Sequence, residues 1–111
     1  MRIEQSESHS VSIYIAGNYD DAVRLCKEFC LTGFCVSIER CAYIYTGGME
    51  DGVRVNLINY ARFPARPEDI DGSARKLAEW LMGGLFQQSA SIVGPDKTIW
   101  LSIREESNGK S

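Results

Sequence analysis

Histidine is nearly absent from this chain: the single one, His9, sits in a polar N-terminal stretch. A Ser–His or Cys–His pair held at a fixed position is therefore not expected, and such pairs underlie most nucleophilic catalysis. Glycine-rich phosphate cradles of the GxxxxGK[ST] kind are missing as well; Gly47-Gly48 and Gly83-Gly84 do not fit that spacing. Lys and Arg number 12 against 15 Asp and Glu, a formal net charge of −3. Without a basic surplus, no sequence-independent grip on nucleic acid or anionic membrane is expected. No apolar run approaches the ~20 residues needed to span a bilayer as a helix. The polar opening, with Glu4 and Glu7, is not a secretory signal, so a cytoplasmic location is expected.

Paired CxxC motifs are also missing. The four cysteines, Cys26, Cys30, Cys35 and Cys41, follow C-x3-C-x4-C-x5-C rather than zinc-ribbon spacing. Cys26 and Cys30 stand one helical turn apart. Cys35 and Cys41, read on one strand, would lie about 20 Å apart and could not bridge each other. Reduced thiols packed as small hydrophobes are expected, with no metal and no cofactor.

What is present is ordinary globular material: 111 residues, 44% hydrophobic and 24% charged. That length suits one domain. Residues 1–10 and 106–111 are rich in polar side chains and read as flexible tails, leaving a single domain over 11–105. Val11, Ile13 and Ile15 alternate with Ser12, Tyr14 and Ala16, the period of a half-buried strand. Gly17 ends it and Asn18 offers a helix N-cap, with Asp20 and Asp21 in the first turn. Ala22, Leu25, Cys26 and Phe29 then recur at helical spacing until Gly33, predicting a helix over 19–32.

A long strand is predicted over 34–45, a hairpin loop over 46–52 and a return strand over 53–60. Pro64 and Pro67 forbid further strand, and Pro67 opens a second helix carrying Ile70, Ala74, Leu77, Ala78, Leu81 and Leu85 on one stripe. Ala90–Val93 suggests a short extra strand, Gly94–Lys97 a turn, and 98–104 the last strand. The order β-α-β-β-α-β predicts a ferredoxin-like α+β fold, an antiparallel sheet with both helices on one face.

Period-2 alternation sorts the side chains of that sheet. Ile13, Ile15, Phe34, Val36, Ile38, Val53, Val55, Leu57, Ile99, Leu101 and Ile103 fall on the helix side. Arg40 shares their phase, unless a bulge intervenes. The opposite face collects Tyr14, Tyr43, Tyr45, Arg54, Ile58, Tyr60, Trp100 and Arg104, an aromatic and arginine-rich composition typical of interfaces. This predicts a non-catalytic binding or assembly module that takes a protein partner or a second copy of itself as a homodimer. The alternative is a small-molecule or nucleotide ligand held on that face. Single-stranded nucleic acid is disfavoured, because the third strand lacks the Gly-aromatic pattern of RNA-recognition sheets.

The stretches YTGGMEDGVRVNLINYARFP (45–64) and SIVGPDKTIWLSIR (91–104) resemble small bacteriophage and prophage proteins. The resemblance spans most of residues 11–104. It implies an accessory protein that binds a host or phage factor, and it carries over no active-site residue.

Overall fold

The first strand, β1 (Ser10–Ala16), lies in the middle of the sheet, and its inward side chains are deeply buried: Val11, Ile13 and Ile15 are at most 2% exposed. It leads through Gly17 into α1 (Tyr19–Phe29), where the Asn18 side chain accepts a hydrogen bond from the Asp21 N–H and so caps the helix. One turn of 3₁₀ helix (Cys30–Thr32) follows, and Gly33, at φ 110°, takes the left-handed conformation that stops it. The hairpin of β2 (Ser37–Tyr45) and β3 (Gly48–Ile58) comes next, then α2 (Pro67–Gly84), β4 (Ser89–Val93) and β5 (Thr98–Ser102). This computed structural model of the chain describes residues 1–104; the expected C-terminal tail, 106–111, lies outside them.

The strands stand in the order β2-β3-β1-β4-β5, every neighbouring pair antiparallel. The first four keep the ferredoxin-like arrangement, and β5 adds an edge strand beside β4. Both helices pack on one face, α1 against β3 and α2 against β1, β3 and β4, with the two helices in mutual contact. Their shared core includes Leu25, Ile70, Leu77, Leu81, Met82 and Leu85 with Val53, Val55, Leu57 and Ile92. Burying each large aliphatic side chain is worth about 1.5–3 kcal/mol, so this layer contact supplies most of the driving force.

Three details differ from the sequence reading. The hairpin is tighter: pairing continues out to Tyr45 and Gly48, so residues 48–52 belong to β3 and only Thr46 and Gly47 turn the chain. Gly47, at φ 84°, makes that turn possible. The second strand starts at Ser37, and Phe34, 41% exposed, packs its ring 5.1 Å from Phe29 instead of entering the core. The place beside β1 goes to β4, which leaves Ile99 37% and Ile103 71% exposed. Arg40 needs no bulge: it keeps its helix-side phase and sets its guanidinium 4.1 Å from the centre of the Tyr19 ring.

Of the four thiols expected to be packed away, only Cys26 is buried, whereas Cys35 is exposed. Burial, with Cys30 beside it, pushes the Cys26 thiol up from 9.0 to about 11. The fold therefore holds the neutral thiol. That contribution is fully present below the ordinary thiol value and is lost as pH rises through the folded one. The thermal midpoint is expected to fall between pH 9 and pH 11, and to fall less in Cys26→Ala, as calorimetry at both pH values would read.

Candidate functional site

The face of the sheet away from the helices carries a row of side chains from all five strands. Glu39, Arg54, Tyr14, Ser91 and Trp100 stand opposite one another in register. At the β2 end of the row the polar groups are tied together. Arg54 Nη1 donates to Glu39 Oε1 at 3.0 Å and its Nη2 to Ser12 Oγ at 3.3 Å. Ser12 Oγ in turn donates to Asn56 Oδ1 at 2.8 Å, and Asn56 Nδ2 donates to Glu39 Oε1 at 3.1 Å. With both terminal nitrogens committed, Arg54 Nε is buried without a partner among the described residues. The guanidinium lies 5.8 Å from the centre of the Tyr14 ring. This end of the face is a cross-strand network that holds Arg54 and Tyr14 in place.

The other end is open. Tyr14, Tyr43 and Trp100, with Glu50, Gln87, Ser89 and Ser91, line a cleft of about 240 Å³. Tyr43 is fixed there by its hydroxyl, which donates to the Val53 carbonyl. Burial, foremost, raises the phenol above its usual value and keeps it protonated as a donor. Gly52 makes room for the ring: a Cβ at this position would stand 2.6 Å from the Ile15 carbonyl oxygen and closer still to Tyr43. Glu50 faces Tyr43 across the hairpin, is exposed, and has no ion-pair partner among the described residues. Trp100 is 65% exposed on the edge strand. The cleft thus offers three aromatic surfaces, one free carboxylate, two serine hydroxyls and an amide. That set suits a flat ring system bearing a positive charge.

Of the residues expected on this face, Tyr14, Tyr43 and Trp100 meet in the cleft, with Arg54 one strand away. Four others do not join them. Tyr45 covers Gly48 at the hairpin tip, and Ile58 stands 45% exposed at the opposite end of β3. Tyr60 lies beyond that strand, where a hydrogen bond with Cys35, first, raises its phenol. Arg104 donates its Nε to Gln88 Oε1 at 2.9 Å. The sequence reading missed Glu50 because it placed residue 50 in a loop. Extending the phase of Arg54 and Asn56 back along the strand would have found it. His9, read as part of a flexible N-terminal tail, lies with its side chain only 12% exposed, Nε2 at 2.8 Å from Asp71 Oδ1.

The architecture is that of a ferredoxin-like α+β domain with an added edge strand. No protein-family model and no curated protein matches the sequence. Among solved structures the chain is similar to a phage SAM lyase in its apo state, at 17% identity and a TM-score of 0.73, covering 96% of this chain and 100% of that one. It is also similar to a phage SAM lyase in complex with S-methyl-5'-thioadenosine, at 16% identity and a TM-score of 0.63, covering 95% and 98%. The fold is therefore one that occurs in phage proteins.

These likenesses overturn the expectation of a non-catalytic module without enzymatic activity. The two solved structures it resembles along nearly their whole length are named as lyases, that is, as enzymes. The expectation rested on the single histidine, His9, being placed in a flexible tail, and on the lack of a nucleophile–base pair in the sequence. That reasoning concerned acyl-transfer triads and does not bear on reactions whose substrate brings its own leaving group.

Proposed function

We propose that this chain is a phage-type enzyme that cleaves S-adenosylmethionine and releases S-methyl-5'-thioadenosine, with the cleft at Tyr14, Tyr43, Glu50 and Trp100 as its site. The observation that carries this reading is the end-to-end likeness of the fold to a phage SAM lyase, at a TM-score of 0.73. The resemblance of residues 45–64 and 91–104 to phage and prophage proteins points the same way.

The chemistry of the cleft supports it. A sulfonium is already a good leaving group, since sulfur departs as a neutral thioether and keeps the electron pair of the broken carbon–sulfur bond. The carbon fragment is completed from within the substrate: its own carboxylate oxygen closes onto the carbon as that carbon's bond to sulfur breaks. Neither water nor a protein nucleophile enters the balance. The adenine ring of the substrate calls for a wall on which it can stack. Tyr14, Tyr43 and Trp100 provide that wall. Glu50 suits the substrate's α-ammonium group, and Ser89 and Ser91 suit ribose hydroxyls.

The test is incubation of the purified protein with S-adenosylmethionine and chromatography of the products. Accumulation of S-methyl-5'-thioadenosine is expected, and intact substrate after prolonged incubation would sink the reading. Trp100→Ala is expected to raise KM about tenfold, the worth of one lost base–aromatic stack. Because Trp100 lies largely in solvent on an edge strand, its thermal midpoint should stay close to that of the parent. A marked drop in that midpoint would instead make Trp100 a structural residue.

A further inference from the structure

The helix layer is narrower than the sheet beneath it. α2 covers β1, β3 and β4, whereas β5 extends the sheet by one more strand at that edge. Ile99 of β5 stands opposite Ile92, on the helix side, and yet stays 37% exposed. The uncovered strip forms a cavity of about 330 Å³, on the face opposite the cleft described above. Val11, Ile92 and Ile99 supply its apolar floor. Asp71 and Arg75 of α2, and Asp96 and Lys97 of the β4–β5 turn, supply its charged rim.

Two of these charges are engaged: Asp71 with His9, and Arg75 through its Nε with Glu79 Oε2 at 3.0 Å. Asp96 and Lys97 have no ion-pair partner among the described residues. One free charge of each sign thus stands side by side above an apolar floor. A simple anion entering here would meet two carboxylates, and a simple cation would meet Lys97 and Arg75. An uncharged apolar molecule would leave the rim unanswered. A ligand with both charges on one carbon and an apolar chain satisfies all three surfaces.

We infer that this cavity binds a free α-amino acid with an apolar side chain. Its carboxylate meets Lys97 and the remaining N–H groups of Arg75, its ammonium group meets Asp96, and its side chain lies on Val11, Ile92 and Ile99. This site is independent of the proposed reaction, because it lies on the other face and uses none of the cleft residues.

The experiment is calorimetric titration of the full chain with L-leucine and L-methionine. N-acetyl-L-leucine and L-leucinamide, each lacking one of the two charges, serve as comparators. Gly72 lines the cavity, and a Cβ placed there meets nothing within 4 Å. A side chain at this position thus starts in open space at the cavity wall, so Gly72→Phe is expected to obstruct the cavity, and removing a helical glycine favours α2. Saturable binding of both amino acids is expected, weakened about tenfold or more for each comparator, for Lys97→Ala and for Gly72→Phe. Trp100→Ala should bind like the parent. The inference is overturned by absence of binding, by equal binding of either comparator, or by binding that survives in a folded Gly72→Phe variant. Loss of binding in Trp100→Ala would move the ligand to the cleft and overturn it equally.

Discussion

Glutamine in place of Glu50 is expected to lower kcat/KM for S-adenosylmethionine by roughly a hundredfold, the worth of one charge-assisted contact in a partly desolvated site. The split between the two constants is the informative part. The substrate carries two positive charges, one on sulfur and one on the α-nitrogen. Sulfur loses its charge as the bond breaks, so a carboxylate placed against it would hold the ground state more firmly than the transition state. The α-ammonium group keeps its charge throughout, and a carboxylate there binds both states equally. Assigned to the ammonium, Glu50 should act mainly through KM, with kcat falling less. Glu50→Asp, which keeps the charge on a shorter arm, should recover part of the loss. Parent-like kcat/KM in Glu50→Gln would remove Glu50 from the site. Retained binding of S-methyl-5'-thioadenosine, which has no ammonium group, would show that the variant cleft is intact.

The largest expected effect on stability is at Leu77, fully buried on α2. Leu77→Ala removes most of an aliphatic side chain from a position with no access to solvent. The neighbouring elements, α1 and the central strands, are held by their own packing and close the hole only in part. The expected loss is about 3 kcal/mol, combining lost transfer energy with the cavity left behind. For a domain of this size that lowers the thermal midpoint by about 12–24 °C, which a calorimetric scan would measure. A loss under about 1 kcal/mol would mean that the helix layer shifts to refill the space, and that the core is less tightly specified than its burial implies.

Much of this molecule was legible along the chain. The alternation of Val11, Ile13 and Ile15, and of Val53, Val55 and Leu57, marked the two central strands and the faces they bury. Asn18 and Gly33 marked the ends of the first helical segment, and Pro67 the start of the second. These signals are local: a cap, a turn residue or a run of alternating side chains expresses its preference within a few residues of itself. Together they specified an antiparallel α+β fold with both helices on one face.

Tertiary structure decided what local preference leaves open. The segments 89–93 and 98–102 both alternate, and nothing within either says which pairs with β1. In the fold, the connection out of α2 delivers β4 to that place, and β5 becomes an edge strand with Ile99 and Trp100 partly or largely in solvent. That single choice creates both surfaces with chemistry on them. It brings Trp100 to the same cleft as Glu50, fifty positions away, and it leaves the strip beyond α2 uncovered. His9 found Asp71 in the same way, through packing of the N-terminal segment beside the second helix. The sequence by itself determined the elements and their buried faces, because those depend on neighbours in the chain. The sites depend on which strands become neighbours in space, and that is settled by long-range packing.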